Sequence, residues 1–359
     1  MGNTFSSKND SPLLGLASGL AAGAFGALVM TGFQALLARG KITSGVSGRP
    51  STEKAADRVL RLTTGSTFSR SARPVAGEAV HNLFGSLIGG FYGVAAELVP
   101  RVTAGKGLLF GLAAATVVDE TLVPVFGLGQ PFWKAPLQSH PYSYVSHAVF
   151  GLSTEAARLV FRPFLGDVKS GLEVLRRGEV PAPLPTEGPG RWRTLGLAFL
   201  LGASAGPRTN APLAAVSWAA RLGWIDLKGS PLAFLGSTRA VSLITPMAVG
   251  ELIADKLPAT PSRTEPLGVS VRAISGAMSG AALAGGKSPG AALAGAAGAI
   301  AGTYIGYLVR TRLSRSLGRD WPVAAAEDLL AYGGAALVGL AAFAPQEKER
   351  RSVRAGSAI

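Results

Sequence analysis

The sequence predicts an all-α, polytopic helical membrane protein made of two helical membrane domains. Three observations carry this. Of 359 residues, 48% are hydrophobic and only 16% are charged, against roughly 25% charged in ordinary soluble domains. Apolar runs recur along the chain, several of them as long as the roughly 20 residues that a crossing requires. The net charge of +14 is gathered in short clusters between those runs. Cytoplasmic loops look like this under the positive-inside rule, whereas a nucleic-acid-binding protein would stripe its Lys and Arg along one soluble face. Cys is absent, which excludes disulfide frameworks, thiolate metal sites and Cys nucleophiles.

After a polar start, Ser11 to Ala38 carries no charge and reads as the first span. It is too long for the apolar core of a signal peptide. Gly15, Gly19 and Gly23 recur every four residues and so line one helix face, where small side chains let a second helix approach closely. Residues 39–78 hold eight basic against three acidic side chains and are expected in the cytoplasm. Within them, Ser51 to Leu62 has the pattern of a short amphipathic helix. Ala79 to Val99 is the second span, with Gly85, Gly89 and Gly93 repeating the small-residue face and Pro100 closing it. Gly107 to Phe126 is the third, interrupted by Asp119 and Glu120, and Ser143 to Phe161 the fourth.

Residues 163–194 are charged and Pro-rich, which marks a linker between a first domain at 1–162 and a second at 195–345. The second domain has apolar runs at Leu195 to Ala220, Leu232 to Ile253, Val269 to Gly285, Gly290 to Val309 and Ala324 to Phe343, followed by a charged tail at 346–359. Gly298, Gly302 and Gly306 predict another close-packed face. The total is about eight or nine crossing or re-entrant segments. Two basic loops on one side of the membrane require an even number of crossings between them, yet three apolar runs intervene. The run holding Asp119 and Glu120 is therefore expected to be re-entrant or split.

Residues 11–162 resemble the YagU-like family of bacterial inner-membrane proteins. The resemblance lies in His81-Asn-Leu-Phe84-Gly85, Ala96-Glu97-Leu-Val-Pro100, Gly107-Leu-Leu-Phe-Gly111, Pro124-Val-Phe-Gly127-Leu128 and Ser146-His147-Ala-Val-Phe150-Gly151, followed by Glu155 and Arg158. The first span departs from the family pattern, with Met30-Thr-Gly32-Phe-Gln34 where the family tends to carry charge. Residues 195–343 resemble a second family of bacterial integral membrane proteins, known as domain of unknown function four-one-two-six. The matching residues are Ala205-Gly206-Pro-Arg208, Gly250-Glu251-Leu-Ile-Ala-Asp255-Lys256, Arg263, Pro266, Gly280-Ala-Ala-Leu283 and Ala326-Glu327-Asp328. The resemblances imply a multi-pass protein of the bacterial inner membrane and bring no assigned reaction.

Ionisable groups at membrane depth cost about 2.5–3.5 kcal/mol each on insertion scales and persist when paired, hydrated or useful. Arg208 lies mid-run among Gly206, Pro207 and Pro212, which predicts a broken helix. Its exposed N–H groups would suit an anion. The plainer expectation is a structural Arg paired with Glu251 or Glu327. With Asp255 and Asp328 these form a candidate intramembrane polar site in the second domain. Leu201 to Gly206 also resembles Ser275 to Gly280, 74 residues on, which is compatible with inverted repeats. In the first domain, His81, Glu97, Asp119, Glu120, His147 and Glu155 form a candidate polar or proton-relay cluster, with His140 seven residues before His147. Imidazoles hydrogen-bonded between helices are the plainer reading. Whether a metal binds is open, and no cofactor is implied.

No G-x-S-x-G, H-E-x-x-H, Walker or G-x-G-x-x-G pattern stands in a context that supports an enzyme. The expected partner is the lipid bilayer and not nucleic acid, with helix-mediated homo-oligomers left open by the small-residue faces. Two functions remain: transport or permeation of a small solute or ion, and a non-catalytic structural, partner-binding or pH- and stress-related role.

Overall fold

The computed structural model describes residues 11–40, 49–254, 263–318 and 320–344. Among them every regular element is helical. The chain divides into two compact units, residues 1–165 and 166–359.

The first unit opens with α1, Pro12–Arg39, started by the Ser11 hydroxyl, which accepts the Leu14 N–H, and by Pro12 in the first turn. The amphipathic α2, Ser51–Thr64, ends on Gly65 in the left-handed conformation at φ 74°. Its buried Asp57 ties the neighbouring turns by pairing with Arg49 and Arg73 and accepting the Phe68 N–H. Desolvation works to raise the Asp57 pKa, but the Arg49 hydrogen bond, the Phe68 amide and the two positive charges outweigh it. The carboxyl lies below its ordinary range. The third helix, α3, Arg73–Leu98, stops at the residues preceding Pro100.

The glycines of α1 and α3 interlock. A Cβ added at Gly19 would strike the Gly89 carbonyl and Gly93, and one at Gly23 would strike Gly85 and Gly89. At this spacing the two backbones are in contact, and Ser86 reaches across to donate to the Leu20 carbonyl at 2.9 Å.

The fourth helix, α4, Leu108–Val125, is continuous, but Ala115–Leu122 within it is wound as a π-helix. The segment at Asp119 and Glu120 is thus not split in two but is one helix with a π-wound stretch. A π-turn admits an extra residue without freeing the backbone amides, so the helix need not break. Lys54 and Arg58 of α2 donate to the Leu128 and Phe126 carbonyls just past its end, where cations suit the helix dipole. The fifth helix, α5, Ser139–Arg176, contains Pro163 and runs on into the second unit.

The stretch read as a linker is therefore helical to Arg176, and its remainder is docked within the second unit. Leu184 is buried, Thr194 Oγ1 donates to the Pro185 carbonyl at 2.6 Å, and Arg193 pairs with Asp167 at 3.1 Å.

In the second unit the run 195–220 forms two helices, α6, Arg191–Ala203, and α7, Ala211–Arg221, separated by turns over residues 204–210. Then follow α8, Thr238–Ala254, α9, Pro266–Leu283, α10, Pro289–Leu317, and α11, Trp321–Ala342. Gly202 of α6 and Gly276 of α9 both abut Gly295 of α10, and Gly298 and Gly302 meet the α6 backbone at Phe199 and Ala203. Ser275 to Gly280 lies inside unbroken α9, whereas Leu201 to Gly206 runs out of a helix into turns. Both stretches place glycines against α10: Gly202 and Gly206 in the first, Gly276 and Gly280 in the second.

Four helices among the described residues are long and apolar enough to cross a membrane: Pro12–Arg39, Leu108–Val125, Pro289–Arg315 and Trp321–Ala342. That is fewer than the segments counted in the sequence. One reason is that α6, α7 and α8, at 13, 11 and 17 residues, are each shorter than the roughly 20 residues of a full crossing.

Candidate functional site

The helix break at residues 204–210 holds the buried Ser204 and Arg208. Gly206 there lies against the backbone of Gly302 and Thr303, and Pro207 and Pro212 deny the chain two N–H donors. Arg208 is fully buried. Its Nε donates to Asp328 Oδ1 at 2.5 Å, and a second guanidinium nitrogen donates to the Pro207 carbonyl at 3.0 Å.

Glu251 reaches the break from α8 and accepts from the Thr209 N–H at 2.7 Å, the Asn210 N–H at 2.9 Å and the Asn210 side-chain amide at 3.0 Å. Glu251 thus occupies the anion position at the start of α7. The carbonyls are also met: Arg272 donates to Gly206, and Ser275 donates to Thr209 at 2.5 Å.

The expected acid partner of Arg208, Glu251 or Glu327, is thus replaced by Asp328. The physical reason is position on α11. Glu327 and Asp328 are adjacent, so their side chains leave the helix about 100° apart. Asp328 turns to Arg208, while Glu327 holds Arg263 at 2.5 Å and Arg310 at 3.2 Å. Gly306 makes room for it, since a Cβ there would sit 3.3 Å from Glu327 Oε1. Arg310 also holds Asp320 at 2.6 Å, just before α11 begins. The hydrogen bonds from Arg310 and Ser314 bring the Asp320 carboxyl from its ordinary 3.8 down to about 2. Asp255 lies outside the described residues.

Across the end of α6 and this break, Gly202, Ser204 and Gly206 spell G-x-S-x-G. There is no strand before it, and the Ser204 hydroxyl donates to the Leu201 carbonyl at 2.6 Å. The spacing is therefore not a nucleophile elbow.

In the first unit the candidate cluster resolves into separate pairs. His147 Nδ1 is 3.6 Å from Asp119 Oδ2, and Ser143 bridges them, donating to Asp119 at 2.5 Å. His140 Nδ1 lies 2.8 Å from Glu120 Oε1. Glu155 accepts from Tyr92 at 3.0 Å and from Arg158 at 2.6 Å, and Glu97 binds Arg162 at 2.6 Å. His147 and Glu155, expected to converge, do not share a partner: eight residues along one helix separate them by about two turns, roughly 12 Å of rise. His81 joins none of these pairs, and its buried Nε2 has no hydrogen-bond partner among the described residues. No group of three His, Asp or Glu side chains among the described residues is arranged to hold a metal.

Sequence reasoning missed Tyr92, Ser143 and Arg263 as members of these pairs. Arg263 had a signal, since a lone Arg stands beside an apolar run. Tyr92 and Ser143 had none, because a hydroxyl within a helix pattern is unremarkable.

Two family models match the chain. Residues 195–346 match the one described as Domain of unknown function (DUF4126), and residues 60–156 match Protein of unknown function (DUF1440), the YagU-like family. The second match begins beyond α1, the span whose pattern departs from that family. No curated protein and no solved structure matches the chain.

Proposed function

We propose that the chain is a non-catalytic, multi-pass protein of the bacterial inner membrane, and that its second unit is a closed structural bundle and not a solute pathway. One observation supports this above others. At a broken helix that serves a solute pathway, the freed N–H groups and the nearby charges point at the cargo. Here Glu251 takes the N–H groups of Thr209 and Asn210, Asp328 takes Arg208, and Arg272 and Ser275 take the carbonyls of Gly206 and Thr209. A cargo anion would have to displace a carboxylate already held by three hydrogen bonds. Transport of a small solute or ion through this unit is accordingly the weaker reading.

The test is reconstitution of the full chain in proteoliposomes loaded with pH-, K⁺- and Cl⁻-sensitive dyes. The expected result is flux equal to that of empty liposomes for the parent protein and for Glu251→Gln alike. A saturable flux in the parent that Glu251→Gln abolishes would overturn the proposal.

A further inference from the structure

Beyond that reading, and independent of it, the first unit carries a cleft of about 660 Å³ lined by residues from the π-wound part of α4, the following segment and the start of α5. This is a size typical of small-molecule sites, which are apolar with a few converging polar groups. Four rings line it. Phe132 and Trp133 stand edge to face with centroids 5.0 Å apart. Tyr144 is held by a 3.0 Å hydrogen bond between its hydroxyl and Thr116, and His140 is tied to Glu120 at 2.8 Å.

Among the described residues Glu120 is the one carboxylate on the wall, and no Lys or Arg lines the cleft. Among the described residues its Oε1 alone is hydrogen-bonded, to His140, which leaves Oε2 for a guest. Lys134, next to Trp133, is exposed but is not among the residues lining the cleft, and Lys54 and Arg58 are committed to the carbonyls of Leu128 and Phe126. The lining therefore sets three aromatic rings, Phe132, Trp133 and Tyr144, whose π faces are negative at their centres, beside a single carboxylate. Such a combination selects a cation with an apolar skin.

We infer that this cleft binds an alkylammonium group, seated between Trp133 and Tyr144 with its charge on Glu120. The π-winding of Ala115–Leu122 contributes by turning Thr116, Glu120 and Thr121 toward one space, as π-turns do at functional sites. Two sources share this chemistry: a free amine or quaternary ammonium, and the ethanolamine head of a bilayer lipid, which the cleft could reach from its place at the end of a candidate crossing.

The test is calorimetric titration of the detergent-solubilised full chain with tetramethylammonium chloride, against NaCl at equal ionic strength. The expected result is saturable binding that weakens at least tenfold in Glu120→Gln and in Trp133→Ala. Trp133 is 69% exposed, so its truncation leaves the fold intact. His140→Ala frees Glu120 Oε1 and is expected to bind at least as tightly as the parent. Nanodiscs then separate the sources: competition by phosphatidylethanolamine, absent with phosphatidylglycerol, identifies the lipid head, and equal affinity in both identifies a free solute. Absence of saturable binding, or binding unchanged in both Glu120→Gln and Trp133→Ala, overturns the inference.

Discussion

Arg208 shows how a single residue can be legible in kind but not in partner. Its burial was readable because an Arg within an apolar run has to be paired or hydrated. Its partner was not, because Glu327 and Asp328 are neighbours in sequence and only the rotation of α11 decides which one faces the break. The pair itself is weak grounds for stability, since desolvation can cancel the Coulomb gain. Its loss on one side is a different matter. Arg208→Ala would leave Asp328 without its guanidinium, and Asp328→Ala would strand a fully buried Arg. Each is expected to destabilise the detergent-solubilised protein by about 3–5 kcal/mol. The double variant should be less unstable than the sum, with a coupling of about 1–3 kcal/mol in a thermal or denaturant double-mutant cycle. Strict additivity would remove Asp328 as the partner. Glu251→Gln is a milder change. A neutral amide keeps one acceptor for the Thr209 and Asn210 N–H groups but loses the charge, and a loss of about 1–3 kcal/mol is expected.

At the scale of elements, the close-packed helix faces were the most legible feature. The four-residue spacing of Gly15, Gly19 and Gly23 and of Gly85, Gly89 and Gly93 fixes which face of α1 meets which face of α3. Side-chain periodicity could not show the π-winding of Ala115–Leu122, because a one-residue insertion shifts the pattern by less than a turn. Nor does periodicity show that α6 and α7 are separate short helices; Gly206, Pro207 and Pro212 together mark the break. The glycine face gives a sharp contrast. A Cβ at Gly89 of α3 would stand 2.5 Å from both the Gly19 carbonyl oxygen and the Gly23 Cα, while one at Gly32 of α1 meets nothing within 4 Å. Gly89→Ala is therefore expected to lower stability by about 1–3 kcal/mol, the cost of overpacking. Gly32→Ala should be neutral or stabilising by up to about 1 kcal/mol, from helix propensity alone. Thermal unfolding of the two variants side by side checks both signs. The start of α11 offers a pH test. Asp320, about 2 when folded against 3.8 ordinarily, contributes stability that is complete above its unfolded pKa and is lost as pH falls through about 2. The difference in melting temperature between the parent and Asp320→Asn should thus shrink between pH 4 and pH 2. It should be small throughout, because the carboxylate is half exposed and screened.

For the whole molecule, the distribution of side-chain sizes is the most telling property. The buried positions are dominated by small residues: Gly15, Ser18, Gly19, Ala22, Gly23 and Gly26 in α1, and Ala324, Ala331, Ala335, Ala341 and Ala342 in α11. Many large apolar side chains point outward, with Phe91, Leu329 and Leu330 each more than 70% exposed. A water-soluble bundle does the reverse, because burying Leu and Phe is what drives its folding. In a bilayer the tails are as apolar as Leu. Helices there gain from close backbone approach between small residues and lose nothing by turning large ones to lipid. Composition announced the bilayer, but this inside-out packing needed three dimensions, since Leu329 and Leu330 look like core residues in any linear pattern. Alkaline carbonate extraction of membranes should leave the chain in the pellet, and recovery in the supernatant would remove the membrane reading. Leu330→Arg separates the two environments more finely. Leu330 lies near the middle of α11 and is 73% exposed. In water, an exposed Leu changed to Arg is close to neutral and improves solubility. Facing lipid at the centre of a crossing helix, it costs about 2.5–3.5 kcal/mol of insertion free energy. The membrane-inserted fraction measured with a glycosylation or cysteine-accessibility reporter should then fall for Leu330→Arg, while Leu330→Phe inserts as the parent does. Equal insertion of both variants would mean that this face does not meet hydrocarbon.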